Sequence, residues 1–555
     1  MNPGGCPGIR VRGHARCLAH LEGTERNTYL DRLTPGSDIN HSGTSFTESL
    51  LDALLHALQD DTGLPRVGEA KFDGARFTGR ALFDAVTFTC GAWFEGATFT
   101  GDASFLFATF AGIARFQGAT FTSRALFQGA TFTRGGWFDE ATFTDAYFGG
   151  AKFSFARFHN ATFISGARFA KATFTDDAKF YRTTFGPLSS FGLVCRQTVD
   201  VSGAVFEAPV TMEIAAREVR CVRTRWKSTA TLRLRYATVD LSDAVLSSPV
   251  GVNAHFHPLT TVAGETLDES MLIPFDPSVH VTSIRGVDAA HLTLTDMDLT
   301  ACLFSGAFHL DQLGLEGRCT FPSAPIGVRR RKVWPQWWTH RKTLAEEHHW
   351  RVQVAGADNP APPRGWRTPR RSTGGTTPRP EDLAATYRQL RKTLEDSKNE
   401  PGAADFYYGE MEMRRHSRET PASERGLLLA YWLFSGYGLR ASRALISLVA
   451  AITLTMLSLM WWGLPTQVPL PSATGTISDS RITLSTNKPD LAISGQLMTL
   501  PRADRAARVV MNSVIFRTSG QNLTRAGTYI ELGSRICEPI LLALALLAVR
   551  NRVKR

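Results

Sequence analysis

The sequence predicts a mainly-β solenoid followed by helices that span a membrane. Phenylalanine recurs in steps of five and six residues between positions 72 and 185, and residues 445–464 form an uncharged run of 20 residues. A helix would scatter the first period around its surface, and a flat strand would need period two. Fixed short-period repetition instead indicates stacked short strands. At 555 residues, several domains are expected.

The repeat has an eleven-residue unit with the consensus A-T-F-T-x-x-A-L-F-Q-G. Phenylalanine occupies 22 positions, and alanine stands two residues before each of them except at Val86, Gly136 and Thr183. We predict that the phenylalanines point inward, since a small residue is then required beside each ring. The predicted structural core contains Phe88, Phe99, Phe110, Phe121, Phe132 and Phe143.

This array, residues 70–186, resembles the pentapeptide-repeat family, whose A-x-F/L-x-x units wind a right-handed quadrilateral β-helix. The resemblance implies four steps per coil, so the 22 phenylalanines would span 5.5 coils of about 22 residues. At a strand spacing of about 4.8 Å, the rod would be roughly 26 Å long. The extra residue of alternate units falls at corners such as Thr100-Gly101-Asp102, where turn-forming residues allow a wider turn.

Residues 1–69 are predicted to form an N-terminal cap. Ser45 and Glu48 have the spacing of a capping box, and the leucines that follow share one helical face. A solenoid end needs such a cover because it exposes unpaired strand edges and a layer of rings. The leucines of this face are Leu51, Leu54, Leu55 and Leu58.

A candidate zinc site precedes that helix. Cys6, His14, Cys17 and His20 follow the spacing C-x7-H-x2-C-x2-H, and thiolates and imidazoles are zinc ligands. The alternative is a small polar lobe with two reduced cysteines. No other cofactor is expected. The eight cysteines are irregularly spaced and no signal peptide is evident, so we expect a reduced, cytoplasmic repeat domain.

The segments after the array are less regular. Residues 187–320 keep a decayed pattern, as in Ala204-Val205-Phe206, and predict a second, irregular β-helical segment. Residues 321–380 form a basic linker, rich in Trp and Pro, with twelve Lys or Arg against three acids. Glu346 and Glu347 within it are expected on a solvated helix. Basic residues beside tryptophan favour an anionic membrane surface over the rival, nucleic acid. These membrane-surface residues are Arg329, Arg330, Arg331 and Lys332.

Residues 381–443 are predicted to form a helical hairpin, broken at 399–402, and a juxtamembrane helix. This segment resembles one found in bacterial pentapeptide-repeat proteins that carry C-terminal membrane helices. Residues 444–555 then supply two transmembrane helices with an external loop. Arg440 and Arg443 precede the first span, which places its start in the cytoplasm and the loop outside.

The second predicted span, near residues 527–549, carries Glu531, Arg535 and Glu538 on one helical face. This polar face has two interpretations. In the first, Glu531 pairs with Arg535 near the outer surface of the membrane. In the second, the polar face lines a cavity between subunits of a homo-oligomer.

The leading functional hypothesis is a scaffold anchored in the inner membrane that binds a protein partner at its cytoplasmic surface. We expect no enzyme, because no nucleophile–base set or phosphate loop is recognisable. The alternative is a channel-like oligomeric pore, since the order of the last helices resembles a two-helix potassium-channel module, although residues 517–521 lack its filter sequence. The third hypothesis, a DNA mimic that binds gyrase, needs an anionic rod, whereas residues 71–185 carry twelve basic and nine acidic side chains.

Overall fold

The computed structural model describes residues 6–261, 264–325, 327–331, 334–338, 340–354, 366, 378–465, 473–478, 481–486, 498–515 and 523–553. The chain divides into two compact units, residues 1–406 and residues 407–555.

Most of the first unit is a β-solenoid of about 12 turns. Short parallel strands of successive turns pair in columns: Ala70 lies beside Ala92, Ala92 beside Ala114, and Ala114 beside Gly136. These steps of 22 residues are the predicted coil length. The step shortens to 20 between Gly136 and Ala156. The predicted β-helical fold is therefore confirmed, while its handedness stays a prediction.

The strands up to the end of the regular array are Ile39–Asn40, Ser45–Phe46, Arg66–Val67, Ala70–Lys71, Arg76–Phe77, Ala81–Leu82, Thr87–Phe88, Ala92–Trp93, Thr98–Phe99, Ala103–Ser104, Thr109–Phe110, Ala114–Arg115, Thr120–Leu126, Thr131–Phe132, Gly136–Trp137, Thr142–Tyr147, Lys152–Phe153, Ala156–Arg157, Thr162–Phe174, Ala178–Lys179 and Thr184–Phe185. The strands of the irregular continuation are Ser190–Asp200, Val205–Phe206, Val210–Arg220, Arg225–Trp226, Ala230–Arg235, Thr238–Asp240, Val245–Leu246, Val250–Ala254, His280–Ser283, Leu292–Thr295 and Gly314–Glu316.

Columns of stacked phenyl rings fill the solenoid. The centroids of Phe77 and Phe99 are 4.6 Å apart, as are those of Phe99 and Phe121, with the rings within 3° of parallel. Equivalent residues of neighbouring strands carry these rings, so the strand spacing sets the ring spacing. The six phenylalanines of the predicted core are 0–1% exposed. Where Gly136 replaces the usual alanine, an added Cβ would lie 2.8 Å from the Phe138 ring, so the core has closed over the missing methyl group.

One corner of the coil requires left-handed backbone, two residues after an inward ring. Gly96 and Gly118 both have φ of +64° there, and glycine adopts this conformation without a steric cost. This requirement explains the glycine of the consensus. Phe107 and Glu140 take the same conformation, at φ of +55° and +59°, without being glycine.

Two helices accompany the first turns, α1 (Gly23–Leu30) and α2 (Glu48–His56). Leu51, Leu54 and Leu55 of the predicted face are buried on α2, and Leu58 is buried just beyond its end. The predicted capping box is wrong, because the N-cap is Thr47, whose hydroxyl accepts the N–H of Leu50 at 3.3 Å. Ser45 instead belongs to a strand paired with Arg76, so the chain leaves the sheet two residues later than expected.

Beyond the solenoid, an antiparallel hairpin (Gly327–Arg331 with Trp334–Trp338) precedes the helices α3 (Ala345–Val354), α4 (Pro380–Asp396) and α5 (Glu400–His416). The predicted break at residues 399–402 separates α4 from α5. There the Asn399 side chain accepts the N–H of Gly402 at 3.1 Å.

Helix α3 is not solvated, and the expectation for Glu346 and Glu347 was wrong. The exposed fractions of these residues are 1% and 0%. Glu346 accepts the backbone N–H groups of Phe304 and Ser305 at the end of the solenoid. Glu347 forms an ion pair with Arg341 at 2.7 Å. The two glutamates are buried because residues distant in the sequence contact them, such as Phe304 of the solenoid and Tyr387 of α4. The spacing of residues within α3 alone does not predict these contacts.

The second unit contains α6 (Ala422–Ser435), α7 (Ala441–Ser458), a hairpin (Ala473–Ser478 with Arg481–Thr486), α8 (Leu500–Ile515) and α9 (Arg525–Val553). A wide helical turn, Leu459–Gly463, extends α7. Two helical segments, Ala441–Gly463 and Arg525–Arg550, are long and apolar enough to cross a membrane. Their large apolar side chains include exposed ones, such as Ile446 at 68% and Leu546 at 63%.

Candidate functional site

One surface column of the regular array consists of cations and indoles in alternation, and we call it the Lys/Trp/Arg ladder. It contains Lys71, Trp93, Arg115, Trp137 and Arg157, carried by successive turns in direct register. The Lys71 ammonium lies 5.0 Å from the Trp93 ring centre, and the Arg115 guanidinium lies 4.6 Å from it on the other side. Arg115 and Arg157 then enclose Trp137 at 5.0 and 5.1 Å.

Acidic side chains border this ladder. Glu95 pairs with Arg115 at 3.1 Å, and Asp139 pairs with Arg157 at 2.9 Å. All members of the ladder are half-buried, so each ring and each cation keeps part of its surface accessible. The ladder is therefore a preorganised surface of mixed charge, with cation–π contacts each contributing about 0.5–1 kcal/mol.

The ladder is not among the residues predicted from the sequence, because the predicted core contains only the inward positions of the repeat. The signal is present at the coil length: stepping 22 residues from Lys71 gives Trp93, Arg115 and Trp137 in turn. Only the shortened step to Arg157 needs the structure.

The predicted membrane-surface residues are placed only in part. Residues 329–331 lie in the first strand of the hairpin after the solenoid, where the backbone alone is described. Lys332 and most of the Pro-rich tract up to residue 377 lie outside the described residues. A role for Arg329, Arg330 and Arg331 at a membrane stays a prediction.

Three of the four predicted zinc ligands come together at the N-terminus. The Sγ atoms of Cys6 and Cys17 are 3.7 Å apart, and Cys17 Sγ lies 3.0 Å from Nδ1 of His20. One ligand atom from each of these residues lies within 4.8 Å of the others. Burial, with the neighbouring Cys6, raises the pKa of the Cys17 thiol. His14 is outside this group, since it lies in the turn closed by the Val11 N–H and the Arg16 carbonyl at 3.0 Å.

Helices α7 and α9 pack against each other through small residues at one end, where Ala441, Ala444, Ala545 and Ala548 form a buried cluster. Arg502 of α8 inserts at the other end of α7. Its guanidinium donates to the carbonyl of Met460 at 2.7 Å and to that of Leu464, so it satisfies carbonyls that the end of a helix leaves without partners.

The polar residues of α9 separate into a pair and a single carboxylate. Arg535 donates to Glu531 at 2.7 Å within the helix. A position of this pair near the outer membrane interface stays a prediction. Glu538 is 0% exposed, and within the described part of the chain neither of its carboxylate oxygens has a hydrogen-bond partner. Thr455 of α7 faces it, but the Thr455 hydroxyl donates to the carbonyl of Ala451.

The paired short strands and phenylalanine columns of the regular array are the features expected of a pentapeptide-repeat β-helix. Comparison with known families supports this, because the description "Pentapeptide repeats (9 copies)" matches residues 67–108, 100–142 and 138–184. Residues 67–184 are thus a pentapeptide-repeat array, as the sequence predicted. Solenoids of this class are typically non-enzymatic structural or interaction scaffolds. No curated protein and no solved structure matches the chain.

Proposed function

We propose that this protein is a scaffold anchored in the cytoplasmic membrane, and that its repeat rod binds a protein partner in the cytoplasm through the Lys/Trp/Arg ladder. The ladder is the observation that carries this proposal. Its rings and guanidinium groups are held rigidly by cation–π contacts and ion pairs. Binding to such a preorganised surface therefore loses little side-chain entropy.

A protein fits this surface better than a nucleic acid. Trp and Arg are enriched at the centres of protein interfaces. Glu95 and Asp139 already neutralise two of the arginines, and Asp73 follows Lys71 along the same border. Phosphate groups along this face would meet these carboxylates, whereas a protein can offer apolar groups and both signs of charge.

The second unit supplies the anchor in this proposal. The two apolar segments expose large side chains that water does not favour, and the bilayer core matches segments of this length. Arg440 and Arg443 before the first segment favour a cytoplasmic start, which would place the repeat rod on the same side.

A photo-crosslinking amino acid tests both parts of the proposal. Placed at Trp93 in the full chain, it should form a discrete adduct that sediments with membranes. The control position is Phe107, which is 70% exposed on another part of the rod and should give none. Trp137→Ala should remove most of the Trp93 adduct. Equal adducts at both positions, or recovery of the chain in the soluble fraction, would contradict the scaffold.

A second candidate function is a cation-conducting pore, favoured by Glu538. A buried carboxylate without a partner is costly in an apolar span, and such residues often mark ion paths. Two helices per chain cannot enclose a pore, so this function requires self-association of the α7–α9 module.

The pore predicts cation flux across liposomes that contain the purified full chain. Glu538→Gln should reduce this flux at least tenfold, because the carboxylate that attracts cations is lost. Cys537→Ser, at the exposed neighbouring position, should leave it unchanged. A wild-type flux no higher than that of protein-free liposomes would exclude the pore.

A further inference from the structure

The geometry of the N-terminal cysteines and histidine points to a site for a single zinc ion. We propose that Cys6, Cys17 and His20 bind Zn²⁺ and thereby fasten the N-terminal segment to the first turn of the solenoid. This inference concerns residues 6–44 alone and does not depend on the scaffold proposal.

The two sulfur atoms already have the separation of zinc ligands. Zn–S bonds of about 2.3 Å at a tetrahedral angle place two sulfurs about 3.8 Å apart. The Sγ atoms of Cys6 and Cys17 are 3.7 Å apart, whereas a disulfide would require about 2.0 Å. His20 Nδ1 lies 3.0 Å from Cys17 Sγ, and a small rotation of the ring would give the separation of about 3.5 Å that a tetrahedral site needs.

The surrounding backbone holds the two sulfur atoms in place. The Gly8 N–H donates to Cys6 Sγ at 3.4 Å. Gly8 also allows Cys17 to approach, because a Cβ at this position would lie 2.9 Å from Cys17 Cβ and 3.2 Å from Thr44 Oγ1. The glycine of the sequence Cys6-Pro7-Gly8 therefore donates to one sulfur atom and leaves space for the cysteine that carries the other.

The site lies where it can join two parts of the chain. The Ile9 N–H donates to the carbonyl of Ser42 at 2.8 Å, next to the strand Ser45–Phe46 of the first turn. Leu18 and Leu21 beside the ligands are buried. Zinc would thus stabilise the closing of one solenoid end. Three protein ligands leave a fourth position for water, because His14 lies in its own turn.

The full chain, purified in detergent with a thiol reductant and without added metal, should contain one equivalent of zinc. Cys17→Ser and His20→Ala should reduce the zinc content at least tenfold. His20→Cys should restore it, because a third thiolate can replace the imidazole. His14→Ala and Cys90→Ser should retain the full content. Replacement of zinc by Co²⁺ should produce a thiolate-to-cobalt charge-transfer band that is lost in Cys17→Ser.

Two results would overturn the site. One is a wild-type chain that contains no metal and does not bind Co²⁺ under reducing conditions. The other is zinc retained in Cys17→Ser, or lost equally in His14→Ala and His20→Ala. His20→Cys separates loss of a ligand from loss of folding, since a collapsed N-terminal segment would not recover the metal.

Discussion

Phe110→Asp should destabilise the repeat rod by at least about 4 kcal/mol, the largest effect that we expect from a single core substitution. Phe110 is 0% exposed and stacks between Phe88 at 4.9 Å and Phe132 at 4.7 Å. The variant loses both ring contacts and places a carboxylate without a partner inside the coil. We expect rapid proteolysis of the repeat region, measured as the half-life of the full chain under limited protease.

Thr109→Asp is the matched control for this experiment. Thr109 precedes Phe110 in the same two-residue strand, but its side chain lies between those of Thr87 and Thr131 on the outside of the rod. The same charge at this position remains in water, so its cost should stay below about 1 kcal/mol. Similar protease sensitivity of the two variants would contradict the inward orientation of the phenylalanines.

The sequence predicted the regular array well because one coil determines the next. Each phenylalanine recurs at the spacing that the strand register sets. The period of the sequence therefore identifies which residues are neighbours in successive coils. This relation between sequence period and spatial neighbour weakens where the repeat decays. After Phe206 the column continues with Trp226 and Leu246, which share neither size nor consensus with phenylalanine. Only the paired strands identify them as equivalent.

The polar sites were harder to predict, because either a partner distant in the chain or a local turn determines where each side chain lies. The N-cap is Thr47 and not Ser45, because the strand that contains Ser45 pairs with the strand that contains Arg76, 31 residues further on. His14 has the ligand type and spacing for zinc, yet a local turn holds it elsewhere. The sequence pattern predicts a solvated helix for Glu347, but this residue is buried and accepts a bond from Tyr387, forty residues later. The sequence shows which polar and charged residues are present, but only the packed structure shows which of them contact one another.

A buried ion network joins α3 to α4. Glu347 accepts two bonds from Arg341 at 2.7 Å, one from Arg351 at 2.7 Å and one from the Tyr387 hydroxyl at 2.6 Å. The exposed fraction of the Glu347 side chain is 0%, and that of Arg341 is 3%. Thr393 of α4 donates to the Leu310 carbonyl of the solenoid at 2.6 Å. The network therefore helps to hold α3 and α4 over the C-terminal end of the rod.

The network implies a loss of stability in acid. Burial raises the pKa of Glu347, but Arg341 and then Arg351 outweigh it and hold this pKa at about 2. Because the folded pKa lies below the unfolded value near 4.5, the stabilisation is complete above about pH 4.5 and is lost as the pH falls toward 2. The neighbouring Glu346 has the opposite shift, since burial raises its pKa. Burial therefore disfavours the ionised form of Glu346 relative to its neutral form.

Glu347→Gln and Glu346→Gln should therefore differ, although they are the same substitution at adjacent buried positions. Glu347→Gln leaves two buried arginines without their carboxylate, which should cost about 3–5 kcal/mol. Glu346→Gln keeps an oxygen that accepts the N–H groups of Phe304 and Ser305 and removes an unfavourable charge, so we expect a change below about 1 kcal/mol. Hydrogen exchange of the α4 amides measures both effects locally, because fraying of α4 reports loss of the network.

The acid dependence provides an independent check on the same pair. In wild type and Glu346→Gln, exchange of the α4 amides, corrected for intrinsic rates, should accelerate as the pH falls from about 4.5. In Glu347→Gln, exchange should already be fast at neutral pH and should depend much less on pH in that window. Equal exchange in the two variants at neutral pH would show that Glu347 is not the residue that holds α4, and would assign its burial to packing alone.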